Sequence, residues 1–264
     1  MLVEPTSVVP SGPPADGPPG PGSANAPGAA LTLTRVTWRG SDAEDTYPAP
    51  GVSLYVPPGQ SVALQSEPGG DATGLLDVIA GLRRPRSGQV TVDDIAVDQL
   101  SGPALDRYVA SRGLLGSRFP LLPSLSAIDN VLAVLPAGHF DPATRERAAQ
   151  LLAITGVARL DGAAGSLPAE QQWRILIARA LLRYPRLLLA EDPAPGLDSR
   201  GASIVMDLLT DLHAQFAFTL LLIVARLATA ARCQRLVRLA GGAVVEDDLI
   251  GDDPETRGRV DRIS

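Results

Sequence analysis

Ser61-Val62-Ala63-Leu64-Gln65-Ser66-Glu67-Pro68-Gly69-Gly70-Asp71-Ala72-Thr73-Gly74-Leu75-Leu76-Asp77-Val78-Ile79-Ala80-Gly81-Leu82 passes from an apolar strand through a Pro-Gly-Gly turn into a helix. Leu75, Val78, Ile79 and Leu82 recur at three- and four-residue spacings, which makes one apolar stripe over Gly74 to Leu82. Strand, loop and helix in this order are the address of a phosphate-binding loop. Its pattern, G-x-x-x-x-G-K-[ST], needs glycines for close N–H approach, a lysine for the outer phosphates and a hydroxyl for Mg²⁺. Here Thr73 fits, and Gly69 and Gly70 lie inside the loop. Ser66 stands at the first glycine, Asp71 at the last and Ala72 at the lysine. Glu67 and Asp71 add negative charge where a helix N-terminus would attract phosphate. All 23 Lys+Arg residues are arginines, so no shift of register supplies a lysine. A forked guanidinium does not replace a slim ammonium in a tight loop. On the loop alone, an ordinary strand-turn-helix is the simpler reading.

The surrounding chain has the composition of a globular protein, with 264 residues, 45 % hydrophobic and 20 % charged. A formal charge of -6 without a basic cluster argues against a nucleic-acid partner. The longest apolar run lies around Leu220 to Ala225, too short for a membrane span, so any membrane contact is expected through a partner. Residues 1–30 are rich in Pro, Gly, Ser and Ala and read as a disordered tail rather than a secretion signal, with the fold beginning near Leu31. One cysteine, Cys233, excludes an intrachain disulfide, and with only His139 and His213 beside it no metal cluster is expected. Cys233 reads as a packing residue, and a cytoplasmic protein fits.

Leu31 to Trp38 and Val52 to Val56 alternate apolar and polar residues and predict antiparallel strands. Gln89 to Val92 predicts another strand, and Ser101 to Ser111 a helix capped by Ser101. Helices are expected at about Ala127 to Leu135, Pro142 to Ile154, Ala169 to Arg183 and Ser199 to Ala214. Leu187 to Ala190 and Thr219 to Val224 are unbroken apolar runs, which predict covered parallel strands. Strands Arg235 to Leu239 and Ala243 to Val245 close the fold at residue 246, and 247–264 reads as a charged tail.

Together these blocks resemble the nucleotide-binding subunit of ATP-binding-cassette (ABC) transporters, closest to the branch serving lipoprotein release, macrolide export and cell division. The resemblance covers Leu31 to Glu246 and rests on five segments in register. They are Leu75 to Leu82, Ser87-Gly88-Gln89-Val90, Leu121-Leu122-Pro123-Ser124-Leu125, Arg174 to Leu181, and Pro193 with Leu197-Asp198. It implies a P-loop NTPase-like α/β fold with a mixed core sheet, an antiparallel β edge and a helical subdomain inserted at about residues 119–168.

The same resemblance places the chemical positions, and there the residues depart from the family. The glutamine that touches Mg²⁺ and the attacking water falls on Ser117, which is too short for that reach. The signature L-S-G-G-Q becomes Leu167-Pro168-Ala169-Glu170-Gln171, and the switch histidine falls on Ala225. The carboxylate pair that orders Mg²⁺ and polarises water is reversed as Glu191-Asp192, a shift of about one C–C bond in an alignment-dependent reaction. Trp38 matches the aromatic that stacks on adenine, and it fits equally well as a cover for the strand edge. The expectation is a pseudo-ATPase without hydrolysis in its own site. Any surviving ATP and Mg²⁺ would be held through Thr73 and Glu191.

The partners implied are a membrane permease subunit and a second ABC ATPase subunit, as homodimer or heterodimer. Phe119, Leu121, Leu122 and Leu125 occupy the family's docking segment, although leucines there also serve as core. The location implied is cytoplasmic, peripheral on the membrane through that partner. Two other readings stay open: a residual ATPase or ATP sensor built on Thr73, Trp38, Glu191 and Asp192, and a soluble scaffold.

Overall fold

A computed structural model describes residues 28–39, 50–67, 72–136, 140–191, 196–225 and 227–250. Gly69, Gly70, Asp71, Asp192 and His139 lie outside the described residues. The antiparallel layer comes first in the chain. β1 (Leu31–Thr37) pairs with β2 (Val52–Val56) on one side and with β4 (Ser87–Val92) on the other, and β5 (Ile95–Ala96) extends β4. Alternation explains the layer: Val52, Leu54 and Val56 are buried while Ser53 and Tyr55 are exposed.

The second sheet has the order β10-β9-β3-β8-β7-β6. β3 (Ser61–Ser66), β6 (Gly113–Leu115), β7 (Leu187–Glu191), β8 (Thr219–Ile223) and β9 (Arg235–Ala240) are parallel, and β10 (Ala243–Leu249) returns antiparallel on β9. β7 and β8 are apolar on both faces because each face has its own core. Leu187, Leu189 and Leu221 face the core shared with the antiparallel sheet and α1 (Ala72–Ala80). Leu188, Ala190, Leu220 and Leu222 face the core made with α3 (Ala127–Leu132), α4 (Pro142–Ile154), α5 (Ala169–Leu181) and α6 (Ser199–Phe216). A leucine buried this way contributes about 1.5–3 kcal/mol.

α2 (Gly102–Ala110) leads into β6, and α7 (Leu227–Ala230) follows β8. Between β6 and α5, α3, α4 and a 3-10 turn at Ala164–Ser166 occupy the stretch expected as the helical insertion. Among the described residues, no helix is long and apolar enough to cross a membrane.

Several local expectations are corrected. Ser101 holds the N-cap position of α2, but its side chain makes no capping hydrogen bond. The packed chain reaches back to Gly28: Ala29 is buried, its N–H donates to the Arg186 carbonyl at 2.9 Å and its carbonyl accepts from Thr219 Oγ1 at 2.6 Å. At the other end β10 continues to Leu249, three residues past the expected limit at Glu246.

Candidate functional site

Parallel strands end at a common edge, and the loops that follow them form the natural site of an open α/β sheet. Here that edge gathers Ser66 at the end of β3, Glu191 at the end of β7, Ser117 after β6 and Ala225 after β8. Ala72 and Thr73 open α1 across the loop from Ser66. The topology therefore brings these expected positions together, except for Gly69, Gly70, Asp71 and Asp192, which lie outside the described residues.

Their contacts are specific. Ala72 is only 3 % exposed, so a methyl packs into the core where the loop pattern calls for a lysine. Glu67 turns away to the β9–β10 turn, where its Oε1 accepts the Gly241 N–H at 2.8 Å, so the charge expected to face a phosphate is engaged elsewhere. Ser117 and Glu191 meet: Glu191 Oε2 accepts the Ser117 N–H at 3.0 Å and its hydroxyl at 2.9 Å. Glycine at 116 permits this, because a Cβ there would lie 2.6 Å from Glu191 Oε2. Trp38 is 1 % exposed, packed in the core beneath the antiparallel sheet, and in this conformation offers no open ring face to a base.

A second group, not anticipated from the sequence, completes the edge. Arg118 Nε donates to Glu191 Oε1 at 3.1 Å, and its NH1 pairs with Asp77 on α1. Asp77 also lies 3.5 Å from Arg83. The Arg118 and Asp77 side chains are 35 % and 9 % exposed. Burial works against the Arg118 charge, but hydrogen bonding and attraction to Asp77, then to Glu191, outweigh it and hold the guanidinium more firmly protonated than a free one. Two carboxylates and two guanidiniums thus neutralise one another. The signal available in the sequence was Asp77 itself, a carboxylate inside an apolar helix stripe.

The segment after Arg118 is held from beneath. Arg179, buried on α5, donates to the carbonyls of Phe119 and Pro120, the latter at 2.9 Å. Asn130, fully buried on α3, accepts the Leu122 N–H at 2.7 Å and donates to the carbonyls of Leu122, Leu125 and Ser126. Ala164 and Gly165 add N–H bonds to the carbonyls of Leu125 and Pro123. With the backbone fixed, Leu122 and Leu125 remain 41 % and 36 % exposed, Phe119 is half-buried, and Leu121 packs inward against the helical core. Of the four expected docking residues, Leu121 therefore contributes to the core.

Leu167, Pro168, Ala169, Glu170 and Gln171 sit apart, at the start of α5. Pro168 at the N-cap provides no side-chain acceptor. Glu170 pairs with Arg174 at 2.8 Å, and Arg174 also donates to the Thr155 carbonyl, so the added carboxylate is tied into the helical layer.

Residues 50–195 match a family model described as ABC transporter. The chain is 33 % identical over 208 residues to the lipoprotein-releasing system ATP-binding protein LolD 1 of Caulobacter vibrioides, covering 77 % of this chain and 89 % of that protein. It is 35 % identical over 214 residues to the macrolide export ATP-binding/permease protein MacB of Syntrophobacter fumaroxidans, covering 78 % of this chain and only 30 % of that longer protein. A dimeric structure of the ATP-binding cassette MJ0796 bound to ADP and Pi superposes with a TM-score of 0.72 at 25 % identity, over 84 % of this chain and all of that one.

Proposed function

Because the chain belongs to the family of ABC transporter ATP-binding domains, on the lipoprotein-release and macrolide-export branch, we propose that it is a docking subunit that supports a membrane permease without hydrolysing ATP in its own site. The observation that carries this reading is the pre-organised Phe119-to-Leu125 segment, whose backbone Arg179 and Asn130 pin while Leu122 and Leu125 stay open to a partner. An apolar anchor on a rigid backbone loses little conformational entropy when a partner covers it. The buried Ala72 methyl and the occupied Glu191 carboxylate support the absence of turnover. The proposed setting is the cytoplasmic face of a membrane, beside a permease and a second cassette subunit, identical or not.

Co-purification from solubilised membranes tests the proposal. Leu122→Asp and Leu125→Asp are expected to lose the membrane partner, since charging a central anchor costs about 2 kcal/mol or more, roughly 30-fold in affinity. Both substitutions lie at exposed positions, so melting stays near that of the wild type. Thr73→Ala is expected to keep the partner. Loss of the partner with Thr73→Ala but not with the leucine variants would return the function to nucleotide sensing. Mg-ATP is expected to give neither phosphate release nor a melting shift, whereas a ligand at 100 times its Kd adds about 2.7 kcal/mol of stability.

A further inference from the structure

The family implies Mg²⁺ at the carboxylate ending β7, and the surroundings of Glu191 do not fit that ion. A carboxylate has about four acceptor positions. Ser117 fills two on Oε2 and Arg118 fills one on Oε1, all from the segment directly after β6. The remaining position lies beside a guanidinium, whose charge repels a divalent cation. Arg118 simultaneously holds Asp77 of α1, and the next residue is Phe119, the first of the pinned docking segment. Its guanidinium also lies 5.7 Å from the centre of the Phe119 ring, within range of a cation–π contact.

We propose that Arg118 is a built-in counter-cation: by bridging Glu191 at the end of β7 and Asp77 on α1 it supplies, with Arg83 beside Asp77, the positive charge these carboxylates need and keeps Phe119 to Leu125 in place without a divalent ion. The site is thereby uncoupled from Mg²⁺, and the docking surface is held in its single form at all times. The consequence for docking rests on the function proposed above; the replacement of the cation does not.

The test uses the full chain without nucleotide or membrane partner. Melting is followed in MgCl2 against NaCl of equal ionic strength, and hydrogen exchange is followed at the N–H groups of Phe119, Leu121, Leu122, Ser124 and Leu125. The wild type is expected to show no Mg²⁺-specific shift. Arg118→Gln leaves the shielded Glu191 without a cationic partner and Asp77 with Arg83 alone, so melting is expected to fall by about 3–6 °C, a discounted figure for a half-exposed arginine. Exchange in the segment is expected to rise about tenfold. Adding Asp77→Asn and Glu191→Gln removes the carboxylate charges that Arg118 had balanced and is expected to recover at least half of the melting loss. A Mg²⁺-specific stabilisation of the wild type overturns the proposal, as does wild-type melting or exchange in Arg118→Gln. Should Arg118→Gln fail to fold, a folded triple variant supports the proposal and an unfolded one overturns it. ATP-driven phosphate release or a failure to dock would sink the proposed function and leave these outcomes unchanged.

Discussion

Cys233 and His213 show how burial alone sets the chemistry of a residue. The thiol of Cys233 is buried, and desolvation pushes its pKa up to about 12. At about pH 8 a thiol reagent is therefore expected to label the native chain at least about tenfold more slowly than the unfolded chain, and equal rates would contradict this burial. His213 on α6 is buried against Phe218, ring centroids 5.4 Å apart at 81°, with Nε2 at 3.0 Å from the Gly59 carbonyl. Desolvation lowers its pKa below the ordinary 6.5, and the hydrogen bond to Gly59 opposes that only in part. The folded chain then binds fewer protons than the unfolded chain. Stability from the neutral ring is complete above pH 6.5 and is lost as pH falls through the folded value. Melting is expected to decline as pH falls from about 7 to 5, and His213→Gln to flatten part of that slope. Cys233 was legible as a packing residue, because a lone cysteine has few alternatives. Arg118 was not, since its two partners lie 41 and 73 residues away in the chain.

At the scale of elements, the three- and four-residue spacing and the strict alternation located most helices and strands. Ser126 and Ser101 separate what a cap residue can do from what it does. Ser126 Oγ accepts the Asp129 N–H at 3.1 Å at the start of α3, whereas Ser101 makes no such bond. Ser126→Ala is expected to cost about 1 kcal/mol, and Ser101→Ala less than about 0.5 kcal/mol; thermal unfolding compares them directly. β5 and β6 span two and three residues, too few for any period to appear, and α7 spans four. β10 was cut short for another reason. Asp247 and Asp248 read as a charged tail, yet Asp247 reaches Arg235 at 2.6 Å, next to Glu246, which pairs across the ladder with Arg238 at 2.6 Å. Such cross-strand pairs favour a ladder by a few tenths of a kcal/mol to about 1 kcal/mol each, and one strand read alone does not reveal them.

For the molecule as a whole, the positions whose residues depart from the family's pattern are spread over several elements, so changing one toward that pattern is not expected to change the others. Asp71→Gly with Ala72→Lys must seat an ammonium where a buried methyl now packs, and melting is expected to fall. Phosphate release is expected to stay at the level of buffer, because groups that act as a unit are strongly non-additive. Release at about 1 per second or faster, an ordinary enzymatic rate, would show that Ser117, Glu191 and Ala225 matter less than argued.

The sequence by itself determined the P-loop NTPase-like ABC architecture. Leu187 to Ala190 and Thr219 to Ile223 admit little but a doubly covered parallel strand, and the motif blocks around them follow in one order. It also determined which residue types stand at the phosphate-handling positions, since composition needs no fold to be read. Only the tertiary structure decided where the charges went. Glu67 turned to Gly241, Glu170 to Arg174, and Glu191 to Ser117 and Arg118. A side-chain charge takes whichever donor the packed backbone brings within about 3 Å, and chains folded from 264 residues bring together donors and acceptors that sequence distance keeps far apart. Trp38 met the same kind of decision, because whether an aromatic ring stacks on a ligand or closes a core depends on what covers its faces.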